Sequence, residues 1–97
     1  MSKVQEIDLH TRSFIRNTSG LNAEDLVQLS IERMHAALKK AIQNKQKQIK
    51  FIHGIGQGTL RARVYEELRI CEAKGLIASF EPSFFNEGVV IVNISYA

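Results

Sequence analysis

The order in which apolar spacing changes along the chain constrains its fold more than any other feature. From Val4 to His10 apolar and polar residues alternate, with Ile7 and Leu9 on one side and Glu6, Asp8 and His10 on the other, the pattern of a strand. Ala23, Val27, Ile31, Met34, Leu38 and Ile42 then recur at spacings of three and four, which buries one stripe of a helix. Asn22 fits its N-cap, and Glu24 and Asp25 complement the dipole of its first turn. The polar, lysine-rich stretch from Asn44 to Lys50 ends that helix and leads into a short strand at Ile49-Lys50-Phe51-Ile52. A second helix is predicted from about Thr59 to Ala73, with Leu60, Val64, Leu68 and Cys71 as its stripe and Gly75 as a left-handed terminator. Leu76 to Phe80 reads as a strand, Pro82 to Gly88 as a turn, and Val89 to Ile94 as the strongest strand in the chain.

The order β-α-β-α-β-β implies an α/β fold, a two-layer βαβαββ sandwich. Parallel strands need crossover helices, and right-handed crossovers put both helices on one side of a sheet that progresses in one direction. The other face is then open. Ile7 and Leu9 should meet the helices, which turns Asp8 and His10 toward the open face. Val90, Val92 and Ile94 should pack under the helices, leaving Val89 and Ile91 on the open face and in need of cover. Phe14 and Ile15, the Phe84-Phe85 turn, or a partner chain would supply it.

With 97 residues the chain is read as one domain, 1–97. Its 44% apolar and 24% charged residues are ordinary for a folded protein, which excludes a disordered chain. Thirteen basic residues against ten acidic ones leave a net charge of +3, so any nucleic-acid footprint has to be local. The single cysteine, Cys71, sits at an apolar helical position and has no internal partner, which fits a core residue in a reducing compartment. No apolar run approaches the roughly 18 residues of a membrane span, and Met1-Ser2-Lys3 leads directly into a strand pattern. A cytoplasmic location is expected.

Chemistry concentrates in His53-Gly54-Ile55-Gly56-Gln57-Gly58-Thr59-Leu60-Arg61, a glycine-spaced turn between a strand and a helix. Gly54, Gly56 and Gly58 let the backbone approach a ligand, and the helix start at Thr59 offers unpaired N–H groups to an anion. Neither Gly-Lys-Ser nor Gly-Lys-Thr follows, and the spacing is not GxGxxG, so no nucleotide cofactor is expected. If the first two strands are parallel neighbours, His10 and His53 both lie at their C-terminal ends, where open α/β sheets bind ligands. Asp8 shares the face of His10 and can orient its imidazole, while Arg61 adds a phosphate ligand. These groups suit a phosphodiester: a proton to remove, a charge to stabilise and a leaving oxygen to protonate. No serine or cysteine stands out as a nucleophile, which leaves water.

Asp8 and His10 are two potential ligands for a divalent ion such as Mg or Mn, too few to define a site. The loop from Thr11 to Leu21 is long for a strand-to-helix link and carries Arg12 and Arg16. Lys39, Lys40, Lys45, Lys47 and Lys50 read as a solvated helix end, or, through Lys45 and Lys47, as a surface that tracks phosphates. His35 lies beside the apolar stripe and reads as a solvated or half-buried helix residue. No aromatic platform for bases is apparent, so DNA and RNA are not distinguished.

Ile7-Asp8-Leu9-His10 is similar to the LDLH motif, and His53 to Arg61 resembles the HGxGxGxLR motif, of the Smr (small MutS-related) domain. With the Asn86-Glu87-Gly88 turn before the last strand, the resemblance spans residue 5 to the end. It implies a four-stranded mixed sheet like that of the C-terminal domain of bacterial translation initiation factor three, with the fourth strand antiparallel between the second and third. It also implies DNA or RNA binding, in several members endonuclease or nicking activity, and frequently a place at the C-terminal end of a larger protein with further domains before it. The chain departs from the family where Thr11 opens the long loop in place of glycine and a short turn. The leading expectation is a nucleic-acid-binding domain with metal-assisted endonuclease or nicking activity, in which His10 and His53 handle protons and Asp8 orients or ligates; a non-catalytic nucleic-acid-binding domain and a protein-interaction module using the open sheet face are the alternatives.

Overall fold

A computed structural model describes residues 4–17, 19–56 and 58–94; Met1 to Lys3, Thr18 and Gln57 of the readings above lie outside the described residues. Four strands, β1 (Gln5–Asp8), β2 (Gln48–Ile52), β3 (Ser79–Pro82) and β4 (Val89–Asn93), combine with two helices, α1 (Ala23–Gln43) and α2 (Thr59–Ala73). Sheet order is β1-β2-β4-β3, with β1 parallel to β2 and β4 antiparallel to both its neighbours. This is the expected mixed sheet, with the last strand between the second and third.

Register explains which residues form the core. Ile7 pairs with Phe51 and Phe51 with Val90, while Ile49 pairs with Val92 and Val92 with Phe80, so one sheet face is apolar across all four strands. On it pack Ile31, Met34, Leu38 and Ala41 of α1 and Val64, Leu68 and Cys71 of α2, all buried. Asn22 caps α1 through a reciprocal pair: its Oδ1 accepts from the Asp25 N–H at 2.8 Å, and its own N–H donates to Asp25 Oδ2 at 3.1 Å.

The strand ends differ from the sequence expectation, each for a local reason. β1 stops at Asp8 because the Asp8 carboxylate takes the His10 N–H, drawing the chain out of the ladder. β3 begins at Ser79, since Gly75 (φ 77°) and Leu76 close the end of α2, donating to the carbonyls of Glu72 and Cys71. Pro82 ends β3 and does not open the turn, a residue tolerated there because β3 is an edge strand.

Neither proposed cover lies over the second sheet face. Phe84 and Phe85 are 92% and 93% exposed, and Phe14 and Ile15 line a groove with Ile7, Leu29 and Arg33 on the helical side of β1. That face is instead crossed by polar rows. Gln48 Nε2 donates to Asn93 Oδ1 at 2.7 Å and Asn93 Nδ2 to Ser79 Oγ at 3.0 Å, while Ile91 is paired between Lys50 and Glu81. Val89 is buried all the same, and Ile91 is half-buried.

Candidate functional site

The parallel pairing of β1 and β2 sets Asp8 beside Ile52, and the Leu9 N–H still reaches the Ile52 carbonyl at 2.9 Å. His10 therefore emerges next to Gly54. Asp8 Oδ1 accepts from the His10 backbone N–H at 2.9 Å and from His10 Nδ1–H at 2.7 Å. With Nδ1 donating, the lone pair of the neutral ring lies on Nε2. The imidazole fills the space a side chain at Gly54 would need, since a Cβ built there comes within 2.9 Å of His10 Cε1 and closer still to Nε2. Gly54 also holds φ 79°, a conformation glycine adopts without penalty.

Three residues that sequence reasoning missed hold this strand end in place. Ser30 Oγ donates to the Leu9 carbonyl at 2.5 Å, Arg33 Nε to the Asp8 carbonyl at 2.9 Å, and Ser13 Oγ to the His10 carbonyl at 2.7 Å. The available signal was a buried-stripe position, just before Ile31, occupied by a serine. Burial alone would raise the Asp8 carboxyl, but the backbone and ring hydrogen bonds of His10, with the charges of His10 and Arg33, hold it below the ordinary carboxylate value. Asp8 is thus an anion whose acceptor is already aimed at His10.

His53 sits in a different environment. It continues the inward face of β2, is only 4% exposed, and meets the Tyr65 ring edge-on at 5.9 Å. Its Nδ1–H donates to the Gly54 carbonyl at 2.8 Å, and its Nε2 is buried with no partner among the described residues. Desolvation lowers its pKa, against the Gly54 carbonyl bond, and the charges of Arg61 and His10 lower it further. The two histidines, paired by sequence as proton carriers, are thus divided into a surface imidazole and a neutral one beneath the turn.

The glycine turn is clamped from a third direction. The Gly88 carbonyl accepts from the N–H groups of His53 and Gly54 at 2.9 and 3.0 Å, and a Cβ on Gly88 would stand 3.1 Å from Gly54 Cα. Asn86 Oδ1 holds the Gly88 N–H at 2.9 Å. Gly58 (φ 87°) precedes α2, whose start has no side-chain cap and no acidic residue in its first turn. Beside it lies a cavity of about 110 Å³ lined by Gly54, Ile55, Gly56, Gly58, Arg61 and Glu87. Thr59 and Arg61 are exposed, and the Arg61 guanidinium lies 5.4 Å from the Tyr65 ring centre. Uncapped amides next to an arginine offer donors and positive charge to an anion, and this candidate cradle faces the cavity. Glu87, the one carboxylate on the cradle, was not foreseen.

Arg12 is exposed in a 3-10 turn, Thr11–Ser13, directly after His10 and so at the rim of this site. Lys45 and Lys47 are not brought to it. They line a separate cavity with Val4, Gln5 and Gln48 at the N-terminal end of β2, a strand length of about 17 Å from the glycine turn. His35, exposed as expected, joins the helices through Glu67 at 2.8 Å. No group of three His, Cys, Asp or Glu side chains that would hold a metal ion occurs among the described residues. His10 engages Asp8 Oδ1, which leaves Asp8 Oδ2 and His10 Nε2 as the open donors of this pair. No helix among the described residues is long and apolar enough to cross a membrane.

A family model described as Smr domain matches residues 20–95. The matched span contains the glycine turn and begins after Asp8 and His10. Among solved structures, the crystal structure of the Smr domain of Thermus thermophilus MutS2 is similar, with 25% sequence identity and a TM-score of 0.72, covering 95% of this chain and 99% of that one. No curated protein matches.

Proposed function

This chain belongs to the Smr domain family, and on that premise we propose that it binds nucleic acid and cleaves a phosphodiester at the Asp8, His10 and glycine-turn site. One observation carries the reading: His10, with Nδ1 fixed by Asp8, presents Nε2 against Gly54 at the edge of an anion cradle. A phosphate on the first-turn amides of α2 and Arg61, with Gly54, Gly56, Gly58 and Thr59 giving close approach, places its phosphorus near an oriented base. His10 Nε2 takes the proton of the attacking water, and Asp8 stabilises the imidazolium that forms. The amides and Arg61 take up the negative charge that builds on the phosphoryl oxygens. The leaving oxygen, on the opposite side of phosphorus from the attacking water, takes its proton from solvent, and the imidazolium gives its own back to solvent afterwards. His53 acts from below as a positioning residue, through its bond to the Gly54 carbonyl. Arg12 extends the cationic rim. Lys45 and Lys47 contact only a ligand long enough to pass the far end of the sheet.

A divalent ion, Mg or Mn, brought in with the substrate phosphate would be held by Asp8 and would add positive charge at the phosphoryl oxygens. Binding without cleavage is the second reading, and the acidic Glu87 on the cradle favours it by opposing charge build-up on a phosphate. The polar rows on the second sheet face leave little apolar surface for a protein-docking role.

Supercoiled plasmid and structured RNA, incubated with wild type and His10→Ala in Mg, in Mn and in chelator, test the proposal. Cleavage by wild type that His10→Ala lowers at least a hundredfold, with binding retained, supports it. Equal cleavage by both proteins overturns the catalytic assignment, and salt-dependent binding without cleavage supports the second reading.

A further inference from the structure

Among the described residues the largest exposed apolar groups are Phe84 and Phe85, 92% and 93% exposed at the tip of the β3–β4 connection. Their rings meet edge to face, centroids 5.2 Å apart at 80°, so that a ring face is left for a third flat group. The tip is fastened to the anion cradle. Gly88, three residues on, accepts from His53 and Gly54, and Glu87, two residues on, lines the same cavity as Gly56 and Arg61.

Charge separates the two parts. From Gly75 to Ala97 there is no lysine or arginine, and the tip is flanked by Glu81 and Glu87. A phosphate backbone or an anionic membrane gains nothing there, whereas a neutral planar group does. The cradle shares Glu87 with the tip but adds Arg61 and the uncapped first-turn amides of α2, which favour an anion. Resting on the nucleic-acid reading above, we propose that Phe84 and Phe85 form a stacking platform for an unpaired nucleobase whose backbone phosphate occupies the glycine turn. Aromatic rings stack any base through its π-face, so the platform selects single-stranded or gapped substrate over duplex without reading sequence. A base inside a continuous duplex has no free face to offer.

The test compares fluorescence-anisotropy affinities of wild type and a Phe84→Ala, Phe85→Ala double variant for two probes, a continuous duplex and the same duplex with a short single-stranded gap. Both rings are exposed, so the variant should retain the melting temperature of wild type. The expected result is that wild type prefers the gapped probe and that the variant binds it about tenfold more weakly while its duplex affinity is unchanged. Equal affinity of the two proteins for the gapped probe overturns the platform and leaves the cradle standing. Loss on both probes alike also overturns it, as does sedimentation showing wild-type dimers that the variant lacks. Failure of wild type to bind either probe overturns the nucleic-acid reading itself, and the platform with it.

Discussion

The His10 imidazole occupies the volume that a side chain at Gly54 would require, so any residue with a Cβ at 54 has to turn that ring aside. The proton carrier and the anion cradle are therefore a single packed unit.

Gly54→Ala should break that unit. The new Cβ overlaps the His10 ring and φ 79° is unfavourable for alanine, so a loss of about 1–3 kcal/mol in denaturant unfolding is expected. Displacement of His10 should lower cleavage at least a hundredfold, beyond what the stability loss explains at a temperature where the variant remains folded.

Asp8→Asn separates orientation from charge. The amide can still meet His10 but no longer supports the imidazolium, so single-turnover cleavage should fall about tenfold to a hundredfold with affinity unchanged. A variant with wild-type rate would remove Asp8 from the mechanism.

His53 makes stability depend on pH in a defined direction. Its pKa is lowered by burial, so the unfolded chain binds the proton more tightly than the folded one. The stability it confers is complete above the ordinary histidine value of 6.5 and is lost as pH falls below it toward the lowered folded value. Melting temperature should therefore drop from pH 7.5 to 5.5. His53→Asn, which keeps a donor for the Gly54 carbonyl and does not titrate, should flatten that slope even if its absolute stability is lower.

Arg61 and the lysines at the other end of β2 should differ in salt dependence. Arg61→Ala should reduce the slope of log affinity against log salt by about one unit for a duplex. Lys45→Ala with Lys47→Ala should leave the slope for a short oligonucleotide unaltered, because both lysines stand a strand length from the cradle.

Much of this arrangement was legible in local spacing. The Asn22 cap, the Gly75 terminator and the bounds of α2 depend on neighbours three or four residues away, and each was placed correctly; the α1 stripe held at Ile31, Met34 and Leu38, while Ala23 is exposed and Ser30 and Ala41 are buried beside it. The pairing that brings His10 to the glycine turn followed from connection handedness and the implied family topology. What the sequence did not disclose was set by contacts across the fold. Depth distinguishes His53 from His10, yet both precede a turn in similar company. Ser30 and Arg33 act on carbonyls more than twenty positions away, and backbone acceptors leave no mark in composition. Phe84 and Phe85 resembled core cover because apolar pairs usually are, and only exposure reveals otherwise.

In the proposed function, phosphate is held where Gly54, Gly58 and Arg61 meet His10. Titrating a short oligonucleotide into isotope-labelled protein and following backbone amide shifts by NMR tests it most directly. The largest shifts are expected at His10, Gly54, Gly56, Gly58, Thr59 and Arg61, with Lys45 and Lys47 unmoved. Shifts centred on Lys45 to Gln48, with the glycine turn silent, would contradict it.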